Sequence, residues 1–173
     1  MIINQVEGLK RLVNEFSSFA RMPALNPRPE DINQIIKEAV GLYQETQKGI
    51  KVIFHDISGV PIFKMDREQI KRVMINLLDN AIAAIEGTGE VIVNVSYDKE
   101  NEMARIEVAD NGTGIPSYDK LRIFEPYFST KKHGTGLGLA IVNTIIHDHN
   151  GFIDVQDNEP RGTRFIIDLP VNL

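Results

Sequence analysis

Two neighbouring runs of alternating residues constrain the fold more than any other feature of this sequence. EVIVNVSY at 90–97 and MARIEVAD at 103–110 carry apolar residues at alternate positions, and the turn-like DKEN joins them. Successive side chains of a strand point to opposite faces, so this pattern predicts two paired strands with one apolar face. That face requires a second apolar layer to cover it.

Three helices are predicted to supply that layer. Two of them begin with an aspartate that is followed three residues later by a glutamine, as in a capping box: Asp31 with Gln34, and Asp66 with Gln69. These boxes predict helices over about 32–48 and 67–85. The third helix begins near Gly136, runs through LGLAIVNTIIHDH and stops at Asn150-Gly151. It is apolar almost all round, which predicts that it is buried.

Four further segments complete the predicted sheet. They are short apolar runs bounded by turn residues: KVIFHDI at 51–57, VPIFKM at 60–65, GFIDVQD at 151–157 and GTRFIIDLP at 162–170. The last two form a predicted hairpin that closes the chain. Together the elements predict an α+β fold, namely a two-layer α/β sandwich in which helices cover one face of a mixed sheet.

A helical arm precedes this sandwich. Its apolar residues recur at alternating steps of four and three, which is the spacing of a helix-to-helix seam: Ile2, Val6, Leu9, Val13, Phe16 and Ala20. RMPALNPRPED then contains three prolines, and each of them disfavours helix in the residue before it. We therefore divide the chain near residues 22–29 into an arm, 1–26, and a second domain, 27–173.

Composition argues against several classes of function. The 173 residues carry a net charge of −5 and no dense run of lysine or arginine, which argues against a nucleic-acid partner. The chain has no cysteine, and its four histidines lack metal-ligand spacing. No apolar stretch reaches the roughly 18 residues that a membrane span needs, and the N-terminus lacks the order of a signal peptide. These features predict a soluble protein of the reducing cytoplasm.

An asparagine pair marks one face of the second predicted helix. In NLLDNAIAAI, Asn76 and Asn80 are four residues apart, so they stack on one face, beside the short Ala83 and off to one side of the apolar stripe. The small alanine leaves room for the carboxamides to face a ligand. A solvated helix face explains the same pattern, and the helix alone leaves that alternative open.

Two glycine-containing loops are candidates for ligand contacts. DNGTG at 110–114 ends a strand, so the backbone can turn sharply while Asp110 accepts a hydrogen bond from an amino group. GTGLGL at 134–139 places three glycines around a helix start, where free N–H groups favour an anion such as phosphate. A plain turn is the alternative for the first loop.

The connector between these loops is IFEPYFSTKKH, which ends in Lys131, Lys132 and a histidine. It is read either as a ligand-binding loop or as a loop pinned by Phe124 and Phe128, with lysines that are only solvated. RGTRF at 161–165 could be no more than a hairpin turn.

Four of these stretches, taken in order, resemble the sequence boxes of one family. NLLDNA, DNGTGI, FEPYFSTK and GTGLGL look like the N, G1, F and G2 boxes of the sensor histidine kinases, over about 27–173. The resemblance implies the Bergerat ATP-binding fold, shared with gyrase, Hsp90 and MutL, with a mobile lid at about 115–135. LVNEFSSFARMP in the arm is similar to the end of the second helix of the dimerisation and phosphotransfer bundle. Its residues most resemble those of the NtrY-type nitrogen-sensing kinases.

The resemblance implies three catalytic residues. Asn80 would be the ligand of Mg²⁺, because its amide oxygen is a hard donor, and Asn76 would support it. Lys131 would hold the phosphates of ATP. Asp110 would read the amino group of adenine, and Thr163 would complete the pocket for the base.

Further residues of the implied ATP site follow from the same boxes. Gly112 and Gly114 would let the adenine ring approach, and the N–H groups of Gly136 to Gly138 would hold the phosphates. The other residues implied in this site are Ala83, Ile115, Phe124, Thr130, Lys132, Gly134, Thr135, Leu137 and Leu139.

The implied reaction is transfer to a histidine rather than hydrolysis. Related ATPases carry a glutamate at the position of Asn76 that activates water, and an amide cannot act as a general base. A neutral imidazole needs no such base, so alignment and charge neutralisation by Mg²⁺ would carry catalysis. The implied partners are a response-regulator receiver domain and a second copy of the kinase, paired through the bundle helices. Two alternatives stay open: a related serine kinase or ATPase, such as an anti-sigma factor, and a non-catalytic interaction module.

Two departures from the family pattern limit how far the roles of the family's residues apply to this sequence. NAIAAI lacks the basic residue that many histidine kinases carry shortly after the second asparagine, so one phosphate contact is reassigned to Lys131 or Lys132. No histidine followed by an acidic residue lies in a helical seam, as the phosphorylated box of the family requires. The chain is therefore read as a fragment that begins inside the second bundle helix, from a parent that could be anchored in the inner membrane.

Overall fold

The computed structural model describes residues 6, 10, 13, 17, 24–43, 49–56, 59–130 and 134–172. These residues form short and long elements in the following order: β1 (Arg28–Glu30), α1 (Ile32–Gly41), β2 (Ile50–His55), β3 (Phe63–Met65), α2 (Arg67–Ala84), β4 (Gly89–Asp98), β5 (Met103–Asp110), α3 (Ser117–Lys120), α4 (Gly138–Asp148), β6 (Phe152–Asp157) and β7 (Thr163–Pro170).

The central sheet has five strands in the order β2-β4-β5-β7-β6. Strand β2 pairs with β4 in parallel, and the other neighbours are antiparallel, so the sheet is mixed as the sequence predicts. In the predicted β4–β5 pair, Val93 lies opposite Val108 and Val95 opposite Ile106. This register brings the alternating apolar residues of both strands to one face.

Helices α1, α2 and α4 cover that apolar face. The core between the two layers contains Ile35 and Ile36 of α1, Leu77 and Leu78 of α2, and Ile145 of α4, all with 0% of their surface exposed. Burial of this apolar surface is the main favourable contribution to the stability of the sandwich. The predicted two-layer architecture is therefore confirmed.

A second, two-stranded sheet was not predicted. Strand β1 pairs antiparallel with β3, with Arg28 opposite Met65 and Glu30 opposite Phe63. Its residues Arg28–Glu30 fall where the prolines predicted only a boundary, and proline is tolerated in a short edge strand of this kind. Strand β3 is shorter than the predicted strand over 60–65. Because it pairs with β1, it lies outside the central sheet.

The helices follow their predicted starts more closely than their predicted ends. Helix α1 begins after Asp31 but ends at Gly41, and residues 44–48 of the predicted helix lie outside the described residues. The Asp31 carboxylate accepts from the Asn33 N–H, and not from the third position of a capping box. Helix α4 begins at Gly138, two residues later than predicted, because the preceding glycines form the loop that leads into it.

Asp66 joins three parts of the chain at the start of α2. One oxygen of its carboxylate accepts from the Gln69 N–H at 3.1 Å and caps the helix, and the other accepts from the Asn26 N–H at 3.0 Å. Its own N–H donates to Nε2 of the buried His149 at 3.0 Å, while Nδ1 of that ring lies 2.7 Å from the Ile145 carbonyl oxygen. These bonds tie the segment before β1 and the end of α4 to one helix start.

Seven residues of the predicted arm, 1–26, are described: Val6, Lys10, Val13 and Ser17 are helical, whereas 24–26 are not. Val6 and Val13, two members of the predicted seam, are 58% and 51% exposed. The other seam residues lie outside the described residues, so the division into an arm and a second domain stays a prediction. Of the helices in the described part of the chain, none is long and apolar enough to cross a membrane.

We expect Asp66→Ala to lower the free energy of unfolding by about 2 kcal/mol, because it removes a helix cap and a second hydrogen bond. Asp31→Ala is the matched control, since it removes a single capping bond and should cost about 1 kcal/mol. Urea unfolding followed by circular dichroism measures both values. Equal losses would show that the bond to Asn26 contributes nothing.

Candidate functional site

A cavity of about 510 Å³ opens between α2, the end of β5, the start of β7 and the loop before α4. Many residues implied by the family resemblance line it: Asn76, Asn80, Ala83, Asp110, Gly114, Ile115, Thr130, Gly134, Thr135, Gly136, Gly138, Leu139 and Thr163. The N, G1 and G2 stretches, which are far apart in the sequence, therefore meet at one place.

The cavity face of α2 is polar and has a defined orientation. The Asn76 side-chain amide donates to the Arg72 carbonyl oxygen at 2.9 Å. Its Oδ1 therefore faces α4, and a Cβ atom added to Gly138 would lie 2.9 Å from that oxygen. The absence of a side chain at Gly138 thus lets the start of α4 approach the asparagine wall of α2.

Asp110 is held at the end of β5 and is only 3% exposed. Its Oδ1 accepts from the Gly112 N–H at 2.8 Å and from the Thr163 N–H at 3.3 Å, and its carbonyl oxygen accepts from the Asn158 side chain at 2.8 Å. Burial of a carboxylate is unfavourable unless donors surround it. These bonds therefore fix the acid, and they join the turn after β5 to the start of β7.

Two glycines permit this arrangement. Gly162 has φ +110°, and a Cβ atom there would lie 1.9 Å from the Asp110 carbonyl oxygen. At Gly112 a Cβ atom would lie 2.5 Å from the carbonyl oxygen of Ala84, the last residue of α2. Gly112 does not line the cavity. Its missing side chain admits the end of α2, and the implied contact of Gly112 with the adenine ring stays a prediction.

The start of α4 presents backbone donors to the cavity. Its cap residue, Leu137, makes no side-chain capping bond. The first N–H groups of a helix have no partner within the helix, and the helix dipole favours an anion beside them. Gly138 and Leu139 line the cavity at this point, whereas the Leu137 side chain is buried in the core and its N–H donates to Thr135 Oγ1 at 3.4 Å.

The segment between β5 and α4 borders the cavity on its remaining side. Phe128 lines the cavity and lies under the guanidinium of Arg122, 4.7 Å from the ring centroid. Phe124 lies behind the wall and packs edge-on against Phe165, with centroids 6.5 Å apart. The Tyr127 N–H donates to the Gly136 carbonyl oxygen at 3.0 Å, which joins this segment to the glycine loop. Lys131 and Lys132 lie outside the described residues.

Some cavity residues were missed by sequence reasoning. They are Asp79, Ala84, Thr113, Pro116, Ile123, Phe128, Ser129 and Phe165. Helical spacing could have found Asp79, which is three residues from Asn76 and four from Ala83 and so shares their face. Phe165 carried no such signal, because its exposure to the cavity depends on how β7 pairs with β5.

A hydrogen bond from outside α2 holds Asp79. The hydroxyl of Tyr43, just after α1, donates to Asp79 Oδ1 at 2.7 Å. Burial, and then this bond to the carboxylate, raise the pKa of Tyr43 above its usual range. The hydroxyl therefore keeps its proton at neutral pH and remains a donor.

Comparison with known families identifies the class of this domain. Residues 65–173 match the family model described as histidine kinase-, DNA gyrase B- and HSP90-like ATPase. The match covers α2, the five-stranded sheet except β2, and every cavity stretch named above. The chain therefore belongs to the family of histidine kinase-, DNA gyrase B- and HSP90-like ATPases.

Within this family, the sequence relatives include a nitrogen regulation protein and a sensor histidine kinase. The chain is 37% identical over 161 residues to nitrogen regulation protein NtrY of Azorhizobium caulinodans, which covers 90% of the chain and 21% of that protein. It is 32% identical over 175 residues to sensor histidine kinase ZraS of Escherichia coli K12. That alignment covers 100% of this chain and 37% of ZraS. The chain thus spans well under half the length of these relatives.

Solved structures point to the same group. The catalytic domain of histidine kinase ThkA superposes with a TM-score of 0.76 at 33% identity, over 84% of this chain and 96% of that one. Full-length ShkA in complex with AMPPNP gives 0.82 at 28% identity, over 94% and 35% of the two chains. ThkA in complex with the response regulator TrrA gives 0.82 at 29% identity, over 99% and 49%. The fold is that of a histidine kinase catalytic domain.

We expect Gly112→Ala to lower the free energy of unfolding by about 2 kcal/mol, because the added methyl group meets backbone at the end of α2. Gly41→Ala is the control: nothing lies within 4 Å of a Cβ atom there, and alanine favours a helix. Urea unfolding of both variants measures the difference. Equal midpoints would mean that the turn after β5 relaxes away from Ala84 without cost.

Proposed function

We propose that this chain binds Mg-ATP in the described cavity and transfers the γ-phosphoryl group to a histidine, for relay to the aspartate of a response regulator. The observation that carries the proposal is the meeting of three features at one cavity: the asparagine face of α2, the buried Asp110 and the uncapped start of α4. Asp110 suits the base, the start of α4 suits the phosphates, and the asparagines suit the Mg²⁺ that accompanies them.

Asp110 is proposed to recognise adenine. The amino group of adenine is a donor, and a carboxylate is an acceptor only, so the pair is complementary. The backbone bonds to Oδ1 fix the orientation of the carboxylate before the base arrives, which lowers the entropic cost of binding. Gly114, Ile115 and Thr163 line the cavity near this acid and are proposed to surround the ring.

The donor set on α2 fits a magnesium ion. Among the described residues there is no cluster of three or more histidine, cysteine, aspartate or glutamate side chains, so the phosphates of ATP would have to supply part of the ligand set of a metal ion. Asn80 is proposed to hold Mg²⁺ with support from Asn76, since hard oxygen donors suit this ion. When bound, Mg²⁺ neutralises charge on the phosphates.

The start of α4 is proposed to hold the phosphates. Its N–H groups and dipole favour negative charge, and Gly136 and Gly138 leave room for the close approach of oxygens. Lys131 and Lys132 are proposed to add positive charge from a lid at about 115–135 that orders around the phosphates.

The acceptor histidine is proposed to lie outside the sandwich. His55, His147 and His149 fall in the described part of the chain, and none of them lines the cavity. His55 bonds to Asn94 on the neighbouring strand, and His149 is buried against the start of α2. A bundle helix continuous with the arm would supply the acceptor and pair two copies. ThkA has been solved with its response regulator, which supports a receiver domain as the next partner in the cytoplasm.

We expect Asp110→Asn to weaken ATP binding by about tenfold or more, because the base loses a charged acceptor. An asparagine oxygen can still accept from Gly112 and Thr163, so the fold should persist. Isothermal titration calorimetry in the presence of Mg²⁺ measures the affinity, with Glu100→Gln in the β4–β5 turn as the control. Equal affinities for Asp110→Asn and the unaltered chain would remove Asp110 from the site.

We expect the chain itself to bind ATP without labelling itself with phosphate. Transfer needs a nucleophile about 3 to 3.5 Å from the phosphorus, and no histidine in the described part of the chain lines the cavity. Radiolabelled ATP, followed by an acid-lability test, measures phosphohistidine. Extension of the chain upstream by the histidine-bearing helix should restore the label, and Asn80→Ala in that longer chain should abolish it.

Two outcomes would contradict this proposal. Stoichiometric acid-labile label on the 173-residue chain would show that one of its own histidines accepts phosphate. Rapid release of inorganic phosphate without label would favour the ATPase alternative.

A further inference from the structure

Asp79 brings a negative charge to the asparagine end of the cavity. It lines the cavity together with Asn76 and Asn80, on the face of α2 that these residues share. Asp79 and Asp110 are the acidic residues among the described residues that line the cavity. Asp110 is buried at the end of β5 and engaged by backbone donors, so Asp79 is the carboxylate left to act beside the asparagines.

A carboxylate at this place is unfavourable for ATP unless a cation lies between them. The triphosphate carries several negative charges, and the exposed Asp79 would repel them, although solvent weakens this repulsion. A divalent cation reverses the sign of the interaction. Magnesium is typically bound through one or two carboxylates together with phosphates of the substrate, and it keeps several of its waters. Asparagines alone would supply ligands without charge.

Tyr43 fixes the position of this carboxylate. Its hydroxyl donates to Asp79 Oδ1 at 2.7 Å and lies 3.5 Å from the Ile75 carbonyl oxygen on the same helix. The partly buried tyrosine ring packs against the core and so places its hydroxyl beside the carboxylate. The Asp79 carboxylate has no other hydrogen bond or ion pair to the residues that the structure describes. One of its oxygens is thus held by the protein while the second is left for solvent or a ligand.

We infer that Asp79, positioned by Tyr43, is a second anchor for Mg²⁺ in this site and binds the ion through one of its coordinated waters. The inference rests on the proposed function and assigns it a residue beyond the asparagine pair. Tyr43 is a positioning residue that acts through Asp79. Groups that orient metal ligands and metal-bound waters typically change metal affinity about 10- to 100-fold when they are removed.

The first test separates the ion from the nucleotide. ATP affinity is measured by isothermal titration calorimetry in EDTA and across a Mg²⁺ titration, for the unaltered chain, Asp79→Asn and Glu86→Gln. Glu86 is an exposed acid just beyond α2 that does not line the cavity, so its variant controls for the loss of one negative charge. Asp79→Asn should raise the Mg²⁺ concentration at half-saturation about tenfold.

The same variant should bind ATP in EDTA at least as tightly as the unaltered chain, because a repulsive charge has gone. A merely structural role for Asp79 would weaken binding under both conditions, and that result would overturn the inference. Equal Mg²⁺ dependence in Asp79→Asn and Glu86→Gln would also overturn it. Failure of the unaltered chain to bind Mg-ATP at all would instead refute the proposed function.

The second test examines the positioning role. Tyr43→Phe keeps the ring and removes the hydroxyl, so the Mg²⁺ half-saturation should rise, but by less than the roughly tenfold change expected for removal of the charge itself. In the double variant, Tyr43→Phe should add nothing to Asp79→Asn, because the hydroxyl acts only through the carboxylate. Water-proton relaxation with Mn²⁺ in place of Mg²⁺ gives a readout that does not depend on turnover. Additive effects of the two substitutions would exclude the positioning role.

Discussion

Burial of one face of the five-stranded sheet is the constraint on which the rest of the structure depends. Val91, Val93 and Val95 of β4 meet Ala104, Ile106 and Val108 of β5 on that face, and all are 0% or 1% exposed beneath the helices. Helix α2 gives its apolar stripe, including Leu77 and Leu78, to this core. The apolar stripe and the asparagine face lie at a fixed angle around α2, because the helical period sets both. Once the apolar stripe packs on the sheet, the asparagine face is therefore turned toward the cavity.

Sequence patterns predicted the parts of this structure that depend on local periodicity. Strand β5 has the predicted bounds, Met103–Asp110, and Asp66 caps α2 through Gln69 as predicted. Pairings between distant segments could not be predicted from the sequence. Strand β1 pairs with β3 from inside a proline-rich stretch, and no local pattern marks a partner that lies more than thirty residues away.

The site was predictable to a similar extent. The glycine and asparagine stretches indicated most of the cavity wall, but not which of their residues face it. Gly112 packs against Ala84, Phe124 against Phe165, and the Leu137 side chain lies in the core. The contacts with ATP that the resemblance implies for these three residues stay predictions. The contact of Tyr43 with Asp79 joins residues 36 positions apart, and only the packing of α1 against α2 brings them together. Helical spacing could have placed Asp79 in the cavity, but nothing in the sequence predicted its tyrosine partner.

The parallel pairing of β2 with β4 has a consequence for how the domain assembles. Parallel neighbours need a long crossover, and here that crossover contains β3 and α2. The β4–β5 hairpin can form from contacts that are close in sequence, whereas β2 can join it only when the whole crossover has been laid across the sheet. We therefore expect α2, with its asparagines, to be in place no later than the edge strand β2. Pairing of β2 with β4 would then report that the asparagine side of the cavity has already formed.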